Sequence, residues 1–361
     1  MSSERIVVAM SGGVDSSAAA ALLADSGQDV IGIALKLTDH APDPQRRFGR
    51  CCSAADISDA RRAAERIGIP FYVLDLEEEF EESVVAPFVS EYARGRTPLP
   101  CAHCNTQVKF DALVRRAQAF GASKVATGHY ARIETDPASG RKLLLRGADP
   151  AKDQSYFLFG LTQEQLELAA FPVGDLRKEQ VRAEARRRGL PNADKPESQE
   201  ICFVTGSVRE FLDQRLPESH GEIVDRNGQV VGQHRGMHGF TVGQRRGLGL
   251  NARGSLAGRP LYVTAIEPAT QRVQVGDADE LLSSELVAEE INWIMVPPAV
   301  GQTISARVRI RYRHPEAPAT ITLLGAGCAR VVFDQAQRAV TPGQAAVFYR
   351  GDQVLGGGWI A

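Results

Sequence analysis

The apolar run Arg5–Met10 passes straight into Ser11-Gly12-Gly13-Val14-Asp15-Ser16-Ser17, and an alanine-rich helical pattern, Val14–Ser26, starts inside that loop. A strand, a tight glycine turn and a helix in immediate succession leave few folds open. The pattern then repeats. Asp29–Lys36 reads as a strand and Ala54–Ile67 as a helix with apolar residues at helical spacing. Pro70–Leu74 is a strand, Val108–Phe120 a helix, Lys124–Thr127 a strand, and Leu176–Arg188 a basic helix stopped by Gly189. Such alternation predicts an α/β domain, a parallel sheet covered by helices on both faces. Ligands of such sheets sit beyond the carboxyl ends of the strands.

Near Leu216 the pattern changes. Glycine becomes frequent and short alternating runs follow: Glu222–Asp225, Gln229–His234, Pro260–Glu267 and Arg272–Gly276. Asp225-Arg226-Asn227-Gly228 carries the Asn-Gly signal of a hairpin. A last set, Gln302–Arg311, Ala319–Leu324, Ala329–Asp334 and Ala345–Tyr349, reads as a small β-barrel or sandwich, with the barrel preferred. The expected division is an N-terminal α/β domain over residues 1–214, a small β-rich domain over 215–283 and a C-terminal β-barrel over 284–361.

The loop carries the chemistry. Its glycines let the backbone approach phosphate oxygens closely. The helix start adds unpaired N–H groups and the positive end of a dipole. Ser11, Ser16 and Ser17 add hydroxyls, and Asp15 suits either a Mg²⁺ ligand or a loop-ordering role. The Gly-Lys-Ser/Thr ending of a Walker A loop is missing, so no lysine stands ready for the γ-phosphate. That favours attack at the α-phosphate of ATP, with AMP transfer and pyrophosphate release. An ordinary glycine turn before a helix is the plain alternative.

The chain has 361 residues and a net charge of −2, so a nucleic-acid partner would need a local basic surface. No apolar run approaches the ~18 residues of a membrane span, and the first residues have no signal-peptide pattern. A cytoplasmic protein is expected. Six cysteines in a chain this long do not make a disulfide scaffold. Cys104 lies just before the predicted helix Val108–Phe120, where the dipole favours a thiolate. Cys202 lies in Ser198-Gln199-Glu200-Ile201-Cys202-Phe203. Sulfur transfer onto an adenylated carbonyl needs two thiols, one to carry a persulfide and one to cleave or resolve it. An amide-forming synthetase needs no such pair.

Ser-Gly-Gly-Val-Asp-Ser-Ser resembles the pyrophosphatase (PP) loop of adenylating ATPases, a group of amide synthetases and tRNA-thiolating enzymes. The loop alone does not choose between them. Nearly the whole chain, however, resembles the bacterial tRNA-specific 2-thiouridylase (MnmA) family. The resemblance rests on the cysteine segments, Thr127-Gly128-His129-Tyr130, Lys152–Leu158, Gly239–Gly247, Arg311-Tyr312-Arg313 and Thr341-Pro342-Gly343-Gln344. It implies that Ala9, Met10, Ser11, Gly12, Gly13, Val14, Asp15 and Ser16 cradle ATP, with Leu35 and Gly128 lining the nucleotide site and Mg²⁺ on the phosphates. It implies that Cys202 takes sulfur as a persulfide from a cysteine desulfurase or relay protein. Cys104 would be the second catalytic cysteine, able to pair with Cys202 in a disulfide. His129, Lys152, Asp153, Gln154, Arg311, Tyr312 and Gln344 would touch tRNA of the Lys, Glu and Gln types. The product would be 2-thiouridine at the wobble position.

One departure stands out. Leu99-Pro100-Cys101 occupies the place where the family often has Asn-Pro-Asp, so the general acid/base is left unassigned. Cys101-x-x-Cys104 together with Cys51-Cys52 raises a possible iron–sulfur or zinc site, with inert thiols as the alternative. His129 ends a predicted strand, where either a ligand contact or a core role fits. Cys328 reads as core, and His234, His238 and His314 lack metal-ligand spacing. Residues 291–361 hold seven arginines against three acids. Arg307, Arg309, Arg311 and Arg313 alternate and are expected to share one face suited to RNA phosphates. The helix Leu176–Arg188 and Gln244-Arg245-Arg246 would extend that track.

Overall fold

The computed structural model describes residues 4–38, 53–196, 201–204, 206–250 and 260–361. The first strands are β1 (Arg5–Ala9), β2 (Asp29–Lys36), β3 (Phe71–Asp75) and β4 (Lys124–Ala126). A hairpin β5 (Ala131–Thr135) and β6 (Lys142–Arg146) and a two-residue strand β7 (Ala169–Ala170) follow. Five of them form one parallel sheet in the order β3-β2-β1-β4-β7. Helix α1 (Val14–Asp25) links β1 to β2, and α2 (Ala54–Ile67) links β2 to β3.

The near-continuous apolar strands follow from burial on both faces. Val7, Ile31, Ile33 and Leu35 face one core, and Ile6, Val8 and Val30 face the other. Ala18, Ala19 and Ala20 of α1 lie in the second core, where their small side chains let the helix sit close to the sheet. Ile33 is fully buried, so Ile33→Ala should cost about 2–5 kcal/mol.

The chain runs from β1 outward to β3, then returns to β4 on the other side of β1. The strand order therefore reverses between β1 and β4. The crevice at their carboxyl ends is where open α/β sheets bind ligands. The glycine loop follows β1, and Thr127-Gly128-His129 follows β4, so both border that crevice.

The central sheet has the order β10-β11-β8-β9, built from β8 (Gly221–Val224), β9 (Val230–His234), β10 (Tyr262–Glu267) and β11 (Arg272–Gly276). The expected hairpin joins β8 to β9. The Asp225 carboxylate accepts the Asn227 and Gln229 amides, each at 2.9 Å, and Gly228 supplies the positive φ of +78°.

The barrel comprises β12 (Leu282–Trp293), β13 (Thr303–Arg309), β14 (Ala317–Gly325), β15 (Cys328–Arg338), β16 (Ala345–Arg350) and β17 (Gln353–Ile360). It closes because β17 pairs with both β16 and β12. Two of these strands escaped the sequence reading. Gly356-Gly357-Gly358 in β17 looks like a loop, yet β17 runs between two backbones. A Cβ at Gly358 would overlap the Glu289 carbonyl oxygen. The hairpin β5–β6 also joins this sheet, with Gln353 and Val354 paired to Leu145 and Leu144. Two strands from the first half of the chain thus extend the barrel sheet.

Candidate active site

The Met10 amide donates to the Ile33 carbonyl at 2.8 Å, which prolongs the ladder by one residue before the loop turns. Gly12 has φ +74°, and a Cβ there would overlap the Asp56 carbonyl oxygen, so only glycine fits. The Ser11 amide donates to Ser16 Oγ at 3.1 Å, and Ser16 Oγ donates to the Gly13 carbonyl at 3.2 Å. Gly13 caps α1 in an extended conformation and offers no side-chain acceptor. The N-cap side chain therefore leaves the first-turn amides of α1 to other acceptors, as an anion site requires. Gly128 closes the other side: a Cβ on it would lie 2.5 Å from the Ser16 nitrogen. Of the apolar residues expected at this site, Met10, Val14 and Leu35 are buried and Ala9 is half-buried.

Of the two roles open to Asp15, loop ordering is filled. Its carboxylate accepts the Tyr130 hydroxyl at 2.7 Å and Lys178 Nζ at 2.8 Å on each oxygen. Asn192 Nδ2 donates to the Gly12 carbonyl at 3.0 Å, the Gly13 carbonyl at 3.3 Å and Ser17 Oγ at 2.9 Å. Lys195 Nζ donates to the Gly12 carbonyl at 3.3 Å. A lysine 183 residues from Gly12 in sequence thus touches the loop backbone. Neither Asn192 nor Lys195 lies in a recognisable motif; the only signal was a polar turn after Gly189. A cavity of about 450 Å³ lies elsewhere, lined by Arg132, Lys142 and Phe171, and no loop residue borders it.

The cysteine helix differs from the expected one. It begins at Pro100, runs helically to Ala119 and has π-type pitch over Cys104–Ala112. Pro100 suits the first turn because its missing N–H would have no partner there. Cys101, which is exposed, occupies the helix start. Cys104 is a turn further in and buried, so the dipole argument for its thiolate does not apply at the place expected. Wide π turns are frequent at functional sites. Cys202 is half-buried in a turn. The neighbouring Phe203 is buried edge-on against Phe80 at 5.6 Å and Phe88 at 5.1 Å, and this anchors the segment. Both cysteines and Ala9 border the same apolar cluster as Leu35 and Leu37 at the carboxyl end of β2. Cys51 and Cys52 lie outside the described residues. Among the described residues no group of three or more His, Cys, Asp or Glu side chains could hold a metal ion.

The residues expected to meet RNA divide into two kinds. His129 shares a 2.7 Å hydrogen bond with Thr127 Oγ1, with Phe110 and Phe171 around its ring. Burial, and then the Lys109 ammonium, hold its pKa well below the usual histidine range, so the ring is neutral. Lys152 and Tyr312 are partly exposed, and the Tyr312 ring lies 4.5 Å from that of Phe157. The others are used internally. Asp153 is 5% exposed, accepts the Gly147 and Ser155 amides, and pairs with Arg146 at 3.5 Å and Arg309 at 3.7 Å. Gln154 exchanges hydrogen bonds with the Tyr130 backbone. Arg311 donates to the Val242 carbonyl at 2.9 Å and to Thr341 Oγ1, and Gln344 Nε2 donates to the Thr97 carbonyl at 2.9 Å.

The expected arginine stripe is also corrected. The strand stops at Arg309, so Arg311 and Arg313 fall in the following turn. Arg307 donates to the Glu316 carbonyl and pairs with its carboxylate while staying exposed, Arg309 binds Asp153, and Arg313 is exposed in the turn. The basic helix, observed as Lys178–Arg187, is likewise engaged: Lys178 pairs with Asp15, and Arg182 donates to the Ala193 and Lys195 carbonyls.

Among the described residues no helix is long and apolar enough to cross a membrane. Three family models match the chain. They are described as tRNA methyl transferase HUP domain over residues 4–206, tRNA methyl transferase PRC-barrel domain over 209–277, and aminomethyltransferase beta-barrel domain over 283–360. Full-length relatives are named otherwise. A tRNA-specific 2-thiouridylase MnmA of Geobacter metallireducens is 52% identical over 99% of this chain and 96% of its own length. Those of Acidobacterium capsulatum and Solibacter usitatus are each 50% identical, covering 98% and 100% of both chains. Half identity from end to end, with the PP loop at the sheet's switch point and two cysteines bordering one cluster, places this chain in the tRNA-specific 2-thiouridylase (MnmA) family.

Proposed function

We propose that this chain is an ATP-dependent tRNA 2-sulfurtransferase, acting on the wobble uridine in the cytoplasm. What supports the reading is one arrangement: a phosphate loop without a Walker lysine at the β1/β4 crevice, and Cys104 and Cys202 bordering one apolar cluster that also takes in Leu35 and Leu37. Uridine O2 attacks the α-phosphorus of ATP, the Pα–O bond to the β-phosphate breaks, and pyrophosphate leaves. A poor leaving group has become AMP. The terminal sulfur of a Cys202 persulfide then bonds to C2, and AMP departs. The Cys104 thiolate attacks Cys202 sulfur, the S–S bond to the new C2 sulfur breaks, and a Cys104–Cys202 disulfide remains for an external dithiol to reduce.

Helix α1 and the Ser11 and Ser16 hydroxyls would hold the phosphates, and Gly128, whose missing Cβ lets its backbone lie against Ser16, would line the nucleotide site. Mg²⁺, arriving with ATP, would spread charge on the phosphates. Asp15 is committed to Lys178 and Tyr130, so the protein offers hydroxyls rather than a carboxylate cage there. By resemblance, tRNAs of the Lys, Glu and Gln types are the substrates, and a cysteine desulfurase or relay protein is the sulfur donor. Arg313, which is exposed, and Lys152 and Tyr312, which are partly exposed, are the residues best placed to reach RNA, with the neutral His129 ring held deeper beside β4. We also propose the division 1–214, 215–283 and 284–361, with the hairpin at residues 131–146 lent to the barrel.

The test is mass spectrometry of tRNA nucleosides after incubation with ATP, Mg²⁺, a desulfurase and cysteine. The expected result is one oxygen-to-sulfur exchange at uridine, lost in Cys202→Ala and in Cys104→Ala. Turnover of ATP that persists unchanged in Cys202→Ala, with no sulfur in the tRNA, would instead support an amide-forming synthetase.

A further inference from the structure

Lys195 is remote from the glycine loop in sequence and in contact with it in the fold. The turn that carries it is tied down twice. Arg182 donates to the Ala193 carbonyl at 2.8 Å and the Lys195 carbonyl at 3.1 Å, and Asn192 binds the loop through its side-chain amide. This turn delivers Lys195 Nζ to within 2.6 Å of Asp56 Oδ1 and 2.6 Å of Asp59 Oδ2, on the first two turns of α2. The same ammonium lies 3.3 Å from the Gly12 carbonyl oxygen. Its side chain is 19% exposed. Although burial disfavours the charge, the hydrogen bonds to Asp56 and Asp59 hold the Lys195 pKa above that of an ordinary lysine. The group is a permanent cation.

Two carboxylates beside a loop that must hold a triphosphate are a liability. Each repels the incoming phosphates unless a cation covers it. Adenylation makes the demand sharper, because bond cleavage at the α-phosphorus places the leaving electron pair on pyrophosphate. A fixed cation near that charge stabilises the transition state more than the ground state. A lysine on a flexible four-carbon stem can trade one oxygen partner for another with no backbone movement.

We propose that Lys195 is the cation that takes the β- and γ-phosphates of ATP, leaving the Asp56–Asp59 pair when nucleotide binds and stabilising pyrophosphate as it departs. The inference rests on the adenylation reading above. No proton moves in this step; the Pα–O bond breaks, its electron pair goes to pyrophosphate, and Lys195 pairs with that charge. Asp59 then acts as a competitor for the same ammonium.

The competition gives the test. Binding of ATP and of AMP to the full chain is measured by titration calorimetry with Mg²⁺ and no tRNA. Pyrophosphate release is measured with tRNA present. Lys195→Met should weaken ATP binding about 10- to 100-fold, leave AMP binding within about twofold, and slow pyrophosphate release; Lys195→Arg should restore part of it. Asp59→Asn should tighten ATP binding, the opposite direction. If Lys195 only staples α2 to the loop, Asp59→Asn and Lys195→Met will weaken ATP binding alike, and the proposal falls. It also falls if Lys195→Met binds ATP as the unaltered chain does, or loses ATP and AMP equally. Because the calorimetry needs no tRNA, an absence of thiolation would count against the proposed reaction and leave this result standing.

Discussion

The Gln344 side chain, on the barrel, donates to the Thr97 carbonyl at 2.9 Å, three residues before the cysteine helix begins at Pro100. Thr97 is gripped from three sides. Its amide donates to the Pro342 carbonyl at 2.8 Å, and its hydroxyl donates to Thr241 Oγ1 of the central domain at 3.2 Å. The chain therefore enters the cysteine helix from a joint between all three parts of the molecule. Gln344→Ala should lower stability only by about 0.5–1.5 kcal/mol, the worth of one hydrogen bond. It should slow thiolation at saturating tRNA about 10-fold or more, because small misplacements of a reacting group are costly. Single-turnover thiolation and tRNA binding are read side by side. Weaker tRNA binding with an unchanged single-turnover rate would assign Gln344 to RNA contact instead.

Arg311 is the second such joint, and it contrasts with Arg313. Arg311 connects the barrel to Val242 and Thr341, with burial pulling its pKa below the ordinary guanidinium range. Arg311→Ala should cost about 1.5–3 kcal/mol, as charged hydrogen bonds do. Any loss of tRNA affinity would come with a lower urea midpoint. Arg313→Ala, at an exposed site, should leave the midpoint unchanged, weaken tRNA binding and reduce the salt slope by about one unit. A salt slope unchanged in Arg313→Ala removes that residue from the RNA face.

These two residues show what sequence carries and what it does not. The shape of the loop Ser11–Ser17 was legible because it is local: glycine geometry and a helix start specify it within seven residues. Gly128 was reachable only through resemblance, since its reason is the Ser16 backbone packed against it. Lys178, Asn192 and Lys195 were invisible as site residues, because tertiary folding alone brings them to the loop. The arginine alternation pointed to one face, but the strand ends at Arg309 and the neighbouring acids absorb the charge. The expected cysteine helix starts eight residues late, at Val108 instead of Pro100, a proline that suits the first helical turn. β17 was lost because its glycines serve contact between backbones rather than a turn.

Cys101 tests the family's usual residue. It is exposed in the first turn of its helix, where a carboxylate interacts favourably with the dipole. Cys101→Asp should be neutral or stabilising by about 0.3–1 kcal/mol, and thiolation should persist within a few-fold. Thermal unfolding and nucleoside analysis report the two parts. A collapse of thiolation in Cys101→Asp, with the fold intact, would show that the thiol itself has a task there.

His129 sets an acid limit on the fold. Burial, and then Lys109, hold its folded pKa well below the unfolded value near 6.5. The unfolded chain therefore binds a proton that the folded chain refuses once pH drops below about 6.5. Stability contributed by the neutral ring is present above that pH and declines as pH falls toward the folded pKa. His103 and His234 are also held low, chiefly by burial, so they act in the same direction. Each such group steepens the loss by up to about 1.4 kcal/mol per pH unit. Urea unfolding at pH 7.5, 6.0 and 5.2 should show this decline. His129→Gln, which cannot take up a proton, should flatten it by one proton's share. An equal slope in the variant would mean that the His129 ring is already protonated in the folded chain, and the burial of this ring would need another account.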